Sequence, residues 1–136
     1  MAKVKKYRTI FISDLHIGST QCDGKALLDF LQHNDSDTLY LVGDIIDFWS
    51  LSKRMRWTRE HNTIIQKILR KARHGTEVIY IPGNHDENIR EYDGFVFGDI
   101  TIRNEDIYTN VNGLKYKVLH GDIFDSVTIN HKWLAE

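Results

Sequence analysis

Apolar residues along this chain fall into short runs that alternate with stretches of helical spacing. Residues 7–13 (YRTIFIS), 38–42 (TLYLV) and 77–81 (EVIYI) are rich in β-branched and aromatic side chains, and the last two are closed by Gly or Pro-Gly, so all three read as strands. Their near-continuous apolar character suits strands buried on both faces. Between them the spacing changes. Residues 24–33 place Leu27, Leu28 and Leu31 on one helical face, and residues 58–73 do the same with Ile64, Ile65, Ile68, Leu69 and Ala72. Thr58 is suited to cap the second helix and Gly75 to stop it. Strand, helix, strand, helix, strand predicts a parallel α/β core.

After Asp93 the pattern shortens. Residues 95–97, 100–103, 107–111 and 114–119 read as brief strands, with Asn112-Gly113 marking a β-hairpin between the last two. That hairpin follows the third parallel strand. Residues 126–136, with Trp133 and Leu134, read as a helix that stops abruptly. No internal repeat, low-complexity linker or domain boundary interrupts the 136 residues, which suit one domain.

Composition narrows the class. An apolar fraction of 41% with mixed charges fits a globular protein, and no apolar run approaches the roughly 18 residues of a membrane span. The single cysteine, Cys22, offers no internal disulfide and agrees with a reducing compartment, so a cytoplasmic location is expected. A net charge of −1 argues against general attraction to nucleic acid. One local asymmetry stands out: between Lys53 and Arg73 there are eight basic residues and one acid, Glu60, with Trp49 and Trp57 close by.

Four polar clusters each follow a strand: Asp14-Leu15-His16, Gly43-Asp44-Ile45-Ile46-Asp47, Gly83-Asn84-His85-Asp86 and His120-Gly121-Asp122. In an α/β sheet the carboxyl ends of the strands form the ligand-binding edge, so clusters distant in sequence can converge there. Carboxylate, amide oxygen and imidazole donors suit Mn, Fe or Zn. On an extended chain residues i and i+2 point the same way, so Asp14 and His16 are expected to share one metal. Gly43 and Gly83 allow the backbone to turn sharply beside the ligands. A lone Asp or His at a strand end is more often a helix cap or a solvated group; four such clusters in order outweigh that reading. His33, His61, His74 and His131 have no such surroundings and are expected at surfaces or helix ends.

The ordered set Asp14-x-His16, Gly43-Asp44-x-x-Asp47, Gly83-Asn84-His85-Asp86 and His120 resembles the calcineurin-like metallophosphoesterases, from about Thr9 to the end of the chain. His120-Gly121-Asp122 and residues 41–49 (LVGDIIDFW) are similar to the branch containing UDP-2,3-diacylglucosamine hydrolase. The resemblance implies an α/β sandwich, here its N-terminal portion, and two divalent ions, Mn foremost with Fe or Zn as alternatives. By position it implies that Asp14 and His16 bind the first ion, that Asp44 bridges both, and that Asn84 and His120 bind the second. His85, paired with Asp86, would contact phosphate and stabilise charge or protonate the leaving group. Asp47 and Asp122 would orient ligands by hydrogen bonds.

Two features depart from the family's pattern. The lipid hydrolase branch usually has Arg after the Asn, where this chain has His85, so a broader phosphoesterase or diphosphatase substrate stays open. The Gly-His-x-His segment that completes the family's site is absent, since no Gly-His pair occurs anywhere. The expectation is a metallophosphoesterase domain over residues 1–136, incomplete at its C-terminal side. Its substrate would be a phosphorylated small molecule or a nucleotide-lipid diphosphate. Arg54, Arg56 and Arg59, nearest the Asp44 loop, are candidates to bind that anion or, by peripheral contact, the inner membrane; a solvated helix face is the plainer reading. Two alternatives remain: a non-catalytic or weakly active fragment that binds metal and self-associates, for example as a homodimer, and a nuclease, which the near-neutral charge disfavours.

Overall fold

The computed structural model describes residues 3–120 and 133–135. Strands β1 (Lys5–Ile12), β2 (Asn34–Val42), β3 (Glu77–Ile81), β4 (Val96–Phe97), β5 (Ile100–Ile102) and β8 (Trp133–Ala135) form one sheet in the order β4-β5-β3-β2-β1-β8. Strands β1, β2, β3 and β5 run parallel, whereas β4 and β8 pair antiparallel at the two ends. Strands β6 (Asp106–Thr109) and β7 (Lys115–Val118) make a separate antiparallel hairpin. Its turn is closed by Gly113 N–H to Asn110 C=O at 3.0 Å, and of Asn112 and Gly113 only Gly113 takes positive φ.

The alternation of side chains along each strand sorts the core into two clusters. Ile10, Ile12, Leu39, Leu41, Val78, Tyr80 and Ile100 pack with Leu27 and Leu31 of α1 (Gly24–His33) and with Ile64, Ile68 and Ala72 of α3 (Arg59–Arg73). Tyr40, Ile79 and Ile81 point the other way and meet Tyr108 and Val118 of the hairpin, with Phe11 and Val42 packed alongside. Helices, sheet and hairpin therefore form three layers. Phe11 and Tyr40 stack at 4.9 Å and Tyr108 meets Phe11 edge-on at 5.1 Å, which anchors the hairpin to the sheet.

Local chemistry sets the helix ends. Asp23 accepts from Ala26 N–H at the start of α1, and Thr58 and His61 form a reciprocal capping box at the start of α3. His61 is buried in that role, while His33 and His74 bond carbonyls in the last turns of their helices. His131 lies outside the described residues. Two elements go beyond the sequence pattern: α2 (Phe48–Lys53) and a 3-10 turn over Glu87–Tyr92. Both are six residues long, too short for a helical period to show.

The expected terminal helix is corrected where the structure describes it. Trp133–Ala135 pairs antiparallel with Ile10, Phe11 and Ile12; the open edge of β1 offers unpaired backbone groups that a strand satisfies and a helix does not. Among the described residues no helix is long and apolar enough to cross a membrane.

Ile64 is 0% exposed between the helices and the sheet. Ile64→Ala is expected to destabilise the fold by about 2–5 kcal/mol through lost burial and a residual cavity. Urea unfolding followed by circular dichroism measures it; a midpoint equal to the parent's would contradict this packing.

Candidate metal centre

The loops after β1, β2, β3 and β7 meet at one edge of the sheet. The first two continue pairing beyond their strands: Asp14 N–H donates to Gly43 C=O (3.0 Å), His16 N–H to Asp44 C=O (2.9 Å), Ile17 N–H to Ile45 C=O (2.8 Å) and Asp47 N–H back to Ile17 C=O (2.8 Å). Asp14, His16 and Asp44 all hold positive φ, at 57°, 49° and 53°. Such backbone in non-glycine residues costs about 1–3 kcal/mol each and concentrates at functional sites.

These turns place the side chains in two groups. Asp14, Asp44 and His120 offer ligand atoms within 4.8 Å of one another, and so do His16, Asp47 and His85. In the first group His120 Nε2 lies 3.3 Å from Asp14 Oδ1 and 3.7 Å from Asp44 Oδ2. In the second, Asp47 accepts from His16 Nδ1 at 2.9 Å and from His85 Nδ1 at 3.0 Å. Asp14 and His16 thus stand in different groups. The expectation that the two share one metal started from extended backbone; both residues instead hold positive φ, and the charge of His16 still acts on Asp14.

The glycines fit the crowding. A Cβ on Gly43 would overlap the His120 ring, and one on Gly83 would sit 2.6 Å from Asp44 Oδ1 and 2.8 Å from His120 Nδ1. Gly43 also holds φ at 69°, which a side chain would resist. Asn84 is exposed in the turn after β3, and Arg54, Arg56 and Arg59 are exposed between α2 and the first turn of α3. No described hydrogen bond or ion pair draws the three arginines into the two groups. Asp122 lies outside the described residues.

Asp86 departs from the expected pairing with His85. It is 0% exposed. Its Oδ1 accepts from Asp44 N–H (3.2 Å) and Gly83 N–H, and its Oδ2 from Ile45 N–H (2.9 Å) and the Tyr80 hydroxyl. The backbone donors of the Asp44 loop claim this carboxylate, so His85 Nδ1 turns to Asp47 instead. Tyr80 completes the lock, because its hydroxyl also accepts from Ile46 N–H at 3.2 Å. Burial first, then the Asp86 carboxylate, push the Tyr80 phenol well above its usual range. Tyr80 escaped the sequence reading; the one hydroxyl inside an otherwise apolar strand, six residues before Asp86, was its signal.

The carboxylates divide by environment. Burial pushes Asp44 up from the ordinary value, against a hydrogen bond from His85 N–H at 2.9 Å. Burial acts on Asp14 and Asp47 too. The hydrogen bond and charge of His120, together with Ser13 and His16, outweigh it at Asp14; at Asp47 the bonds from Ser50 N–H, His16 and His85 do, so both sit below the ordinary range. A buried carboxylate whose charge is unfavourable, next to a second carboxylate and an imidazole on turned backbone, is the donor set of a divalent-cation site. The residues present fit such an ion.

Asp86→Asn turns an amide NH2 toward donors. It is expected to cost about 3 kcal/mol, the scale of breaking a buried charged network, while Tyr80→Phe costs about 1 kcal/mol. Urea denaturation of both variants reads the difference, and equal stability would remove Asp86 from this role.

A family model for calcineurin-like phosphoesterases matches residues 7–136. The UDP-2,3-diacylglucosamine hydrolase of Actinobacillus succinogenes is 34% identical over 83 residues, covering 59% of this chain and 34% of that protein. The protein of the same name from Shewanella pealeana is 30% identical over 121 residues, covering 85% of this chain and 48% of that protein. The chain therefore spans between about a third and a half of the length of these relatives. Among solved structures, Pseudomonas putida nuclease MPE aligns at 23% identity and a TM-score of 0.42, over 71% of this chain and 47% of that one. With the match of the family model running through all four strand-end loops, this chain belongs to the calcineurin-like phosphoesterases.

Proposed function

We propose that the chain carries the metal centre of a dinuclear hydrolase acting on phosphoester or diphosphate bonds. The observation that carries this reading is the meeting of Asp14, Asp44 and His120 beside His16, Asp47 and His85 at one sheet edge. Asp14 and His16 would hold one ion, Asn84 and His120 the second, and Asp44 would serve both. Mn is the favoured metal, on the oxygen-rich donor set, with Fe or Zn as alternatives. When bound, two such ions supply Lewis acidity to phosphoryl oxygens and acidify water at neutral pH.

The protein's own groups do the rest. His85 is only partly buried and its ring is braced by Asp47 and by Trp49 at 5.2 Å. In this reading it contacts a phosphoryl oxygen and exchanges a proton with the leaving group. Asp86 acts through the backbone, holding Asp44 and Gly83 in register. The names of the relatives favour a nucleotide-lipid diphosphate such as UDP-2,3-diacylglucosamine as substrate.

Asp44→Ala is expected to lose bound Mn by elemental analysis and to lower hydrolysis of bis-p-nitrophenyl phosphate by at least about 100-fold, the effect of losing near 3 kcal/mol of charge stabilisation. Unchanged metal content would sink the assignment. Release of uridine-containing product from UDP-2,3-diacylglucosamine, followed by mass spectrometry, separates the lipid substrate from a general phosphodiester or a nucleic acid.

Arg54, Arg56 and Arg59 are exposed, as are their sequence neighbours Met55 and Trp57, and such cationic and aromatic groups would suit a diphosphate or an anionic headgroup. Reversing all three to Glu should raise KM for a diphosphate substrate roughly tenfold or more, on the scale of one to two charge-assisted contacts, and leave Mn content alone. Unaltered KM together with unaltered vesicle co-sedimentation would return these residues to a solvated surface.

A second reading has its own observation. Ile107, Val111, Leu114 and Tyr116 on the hairpin, and Phe95, Val96 and Phe97 around β4, are all at least half exposed. Apolar surface of this kind favours self-association, so a metal-binding chain that pairs with itself and turns over slowly is the alternative; light scattering beside the activity assay distinguishes the two.

A further inference from the structure

Four of the eight basic residues between Lys53 and Arg73 lie in the second half of α3. Three of them, Lys67, Arg70 and Lys71, share one face of the helix with His74, at spacings of three, four and seven residues from Lys67. That face borders an open cleft of about 290 Å³, which Lys6 of β1, Asp35 and Ser36 of β2 and Thr76 before β3 also line. The cleft therefore sits at the amino ends of the parallel strands. The metal edge is at their carboxyl ends, about 20 Å away along β2.

Four cations line this cleft and one carboxylate, Asp35, answers them. Asp35 is already taken: Lys71 Nζ bonds its Oδ1 at 2.5 Å and the Asn34 carbonyl at 2.9 Å. The Lys71 side chain is 9% exposed, so its charge is held in place. Lys6 pairs with the exposed Asp37 at 3.6 Å. Among the described residues neither Lys67 nor Arg70 has an ion pair, and like charges three and four residues apart weaken a helix. The helix dipole accounts for cations in the last turn, where Arg70, Lys71 and Arg73 stand. It does not account for Lys67, one turn earlier, or for Lys6 on β1. Backbone donors are spent here. The N–H groups of His74, Gly75 and Thr76 bond the carbonyls of Arg70, Ala72 and Lys71, and the Thr76 hydroxyl bonds the Ser36 carbonyl at 3.1 Å. Those bonds also cover carbonyls that would otherwise repel an anion at a helix end.

We infer that this cleft is a second anion site of the chain, for a phosphoryl group with two negative charges, with Lys67 and Arg70 supplying the donors and Lys71 a fixed charge beside them. Its volume lies at the small end of the roughly 300–1,000 Å³ of ligand pockets, which suits a phosphate-sized group. Arg70 offers a planar fork that takes two oxygens at once, and Lys67 a point charge. Phosphate monoesters, free or at the head of a lipid, share this chemistry. An occupant would relieve the repulsion along α3 and so stabilise the fold. Standing at the far end of the sheet, it anchors or steadies the chain and takes no part in turnover.

Titration of the metal-free, 15N-labelled chain with inorganic phosphate near neutral pH, with chloride holding the ionic strength constant, tests this by 1H–15N spectra. Saturable shifts are expected at the amides of Ser36, His74, Gly75 and Thr76. Lys67→Gln combined with Arg70→Gln keeps good helix formers in place and should weaken binding at least about tenfold, the scale of losing a charge-assisted contact. Arg73→Gln removes a like charge from outside the cleft, through screening water, and should change binding by no more than about twofold. A second arm uses phosphatidylcholine vesicles with and without phosphatidic acid. Co-sedimentation that needs phosphatidic acid and is lost in the double variant assigns the cleft to a lipid headgroup; saturable phosphate binding without such co-sedimentation assigns it to a soluble phosphate monoester. Neither form of binding overturns the inference. So does binding that the double variant retains, or that Arg73→Gln weakens as much, since either would mean diffuse surface charge. The outcome is independent of whether the metal edge hydrolyses anything.

Discussion

The arrangement at the metal edge depends on one buried anion. Asp86 is wholly removed from water, a position that costs a carboxylate several kcal/mol unless hydrogen bonds replace hydration. Three backbone N–H groups and a phenol do so, and they come from the loops after β2 and β3 and from β3 itself. Satisfying Asp86 thus obliges the Asp44 loop and the Gly83 turn to lie side by side. The pairing of the Asp14 loop with the Asp44 loop then carries the third loop into place. The ligand geometry in this sense follows from satisfying one buried charge with hydrogen bonds.

That solution creates a second problem that an ion resolves. Asp14, Asp44, Asp47 and Asp86 crowd one edge, and the charge of Asp86 is itself one of the influences raising Asp44. Hydrogen bonds spend the capacity of Asp47 and Asp86, while Asp14 and Asp44 keep oxygens turned toward His120. The carboxylates are therefore not interchangeable. Two are structural acceptors aimed at protein donors, and two are left with negative charge to share.

Much of this was legible in the residues. β3 spans Glu77–Ile81 as its five-residue pattern implies, α1 occupies Gly24–His33, and α3 starts after Thr58 because a hydroxyl there can cap it. The backbone of the ligand loops was not legible. Asp14 and His16 adopt left-handed φ without a glycine to announce it, since Asp and His tolerate that region better than most residues. The proximity of His85 and Asp86 in sequence suggested that they pair; adjacency says nothing about which donors a buried carboxylate will find. Asp47 was readable as an orienting group but not as the cap of α2, because a six-residue helix has no period to recognise. Tertiary pairing along the edge of β1 likewise overrode the helical look of Trp133 and Leu134.

His120 arrives from the layer opposite the helices, at the end of a hairpin held to the sheet by Tyr108, Val118 and the rings of Phe11 and Tyr40. It meets Asp14 across 106 positions of sequence. Contacts that distant form late, after the loop between them has been closed against its entropy. The sheet and helices can consequently assemble with two carboxylates in place and the imidazole still absent. An ion gripping all three would act as a clasp between layers, so that filling the site and holding the hairpin against the sheet would be one free energy seen from two sides.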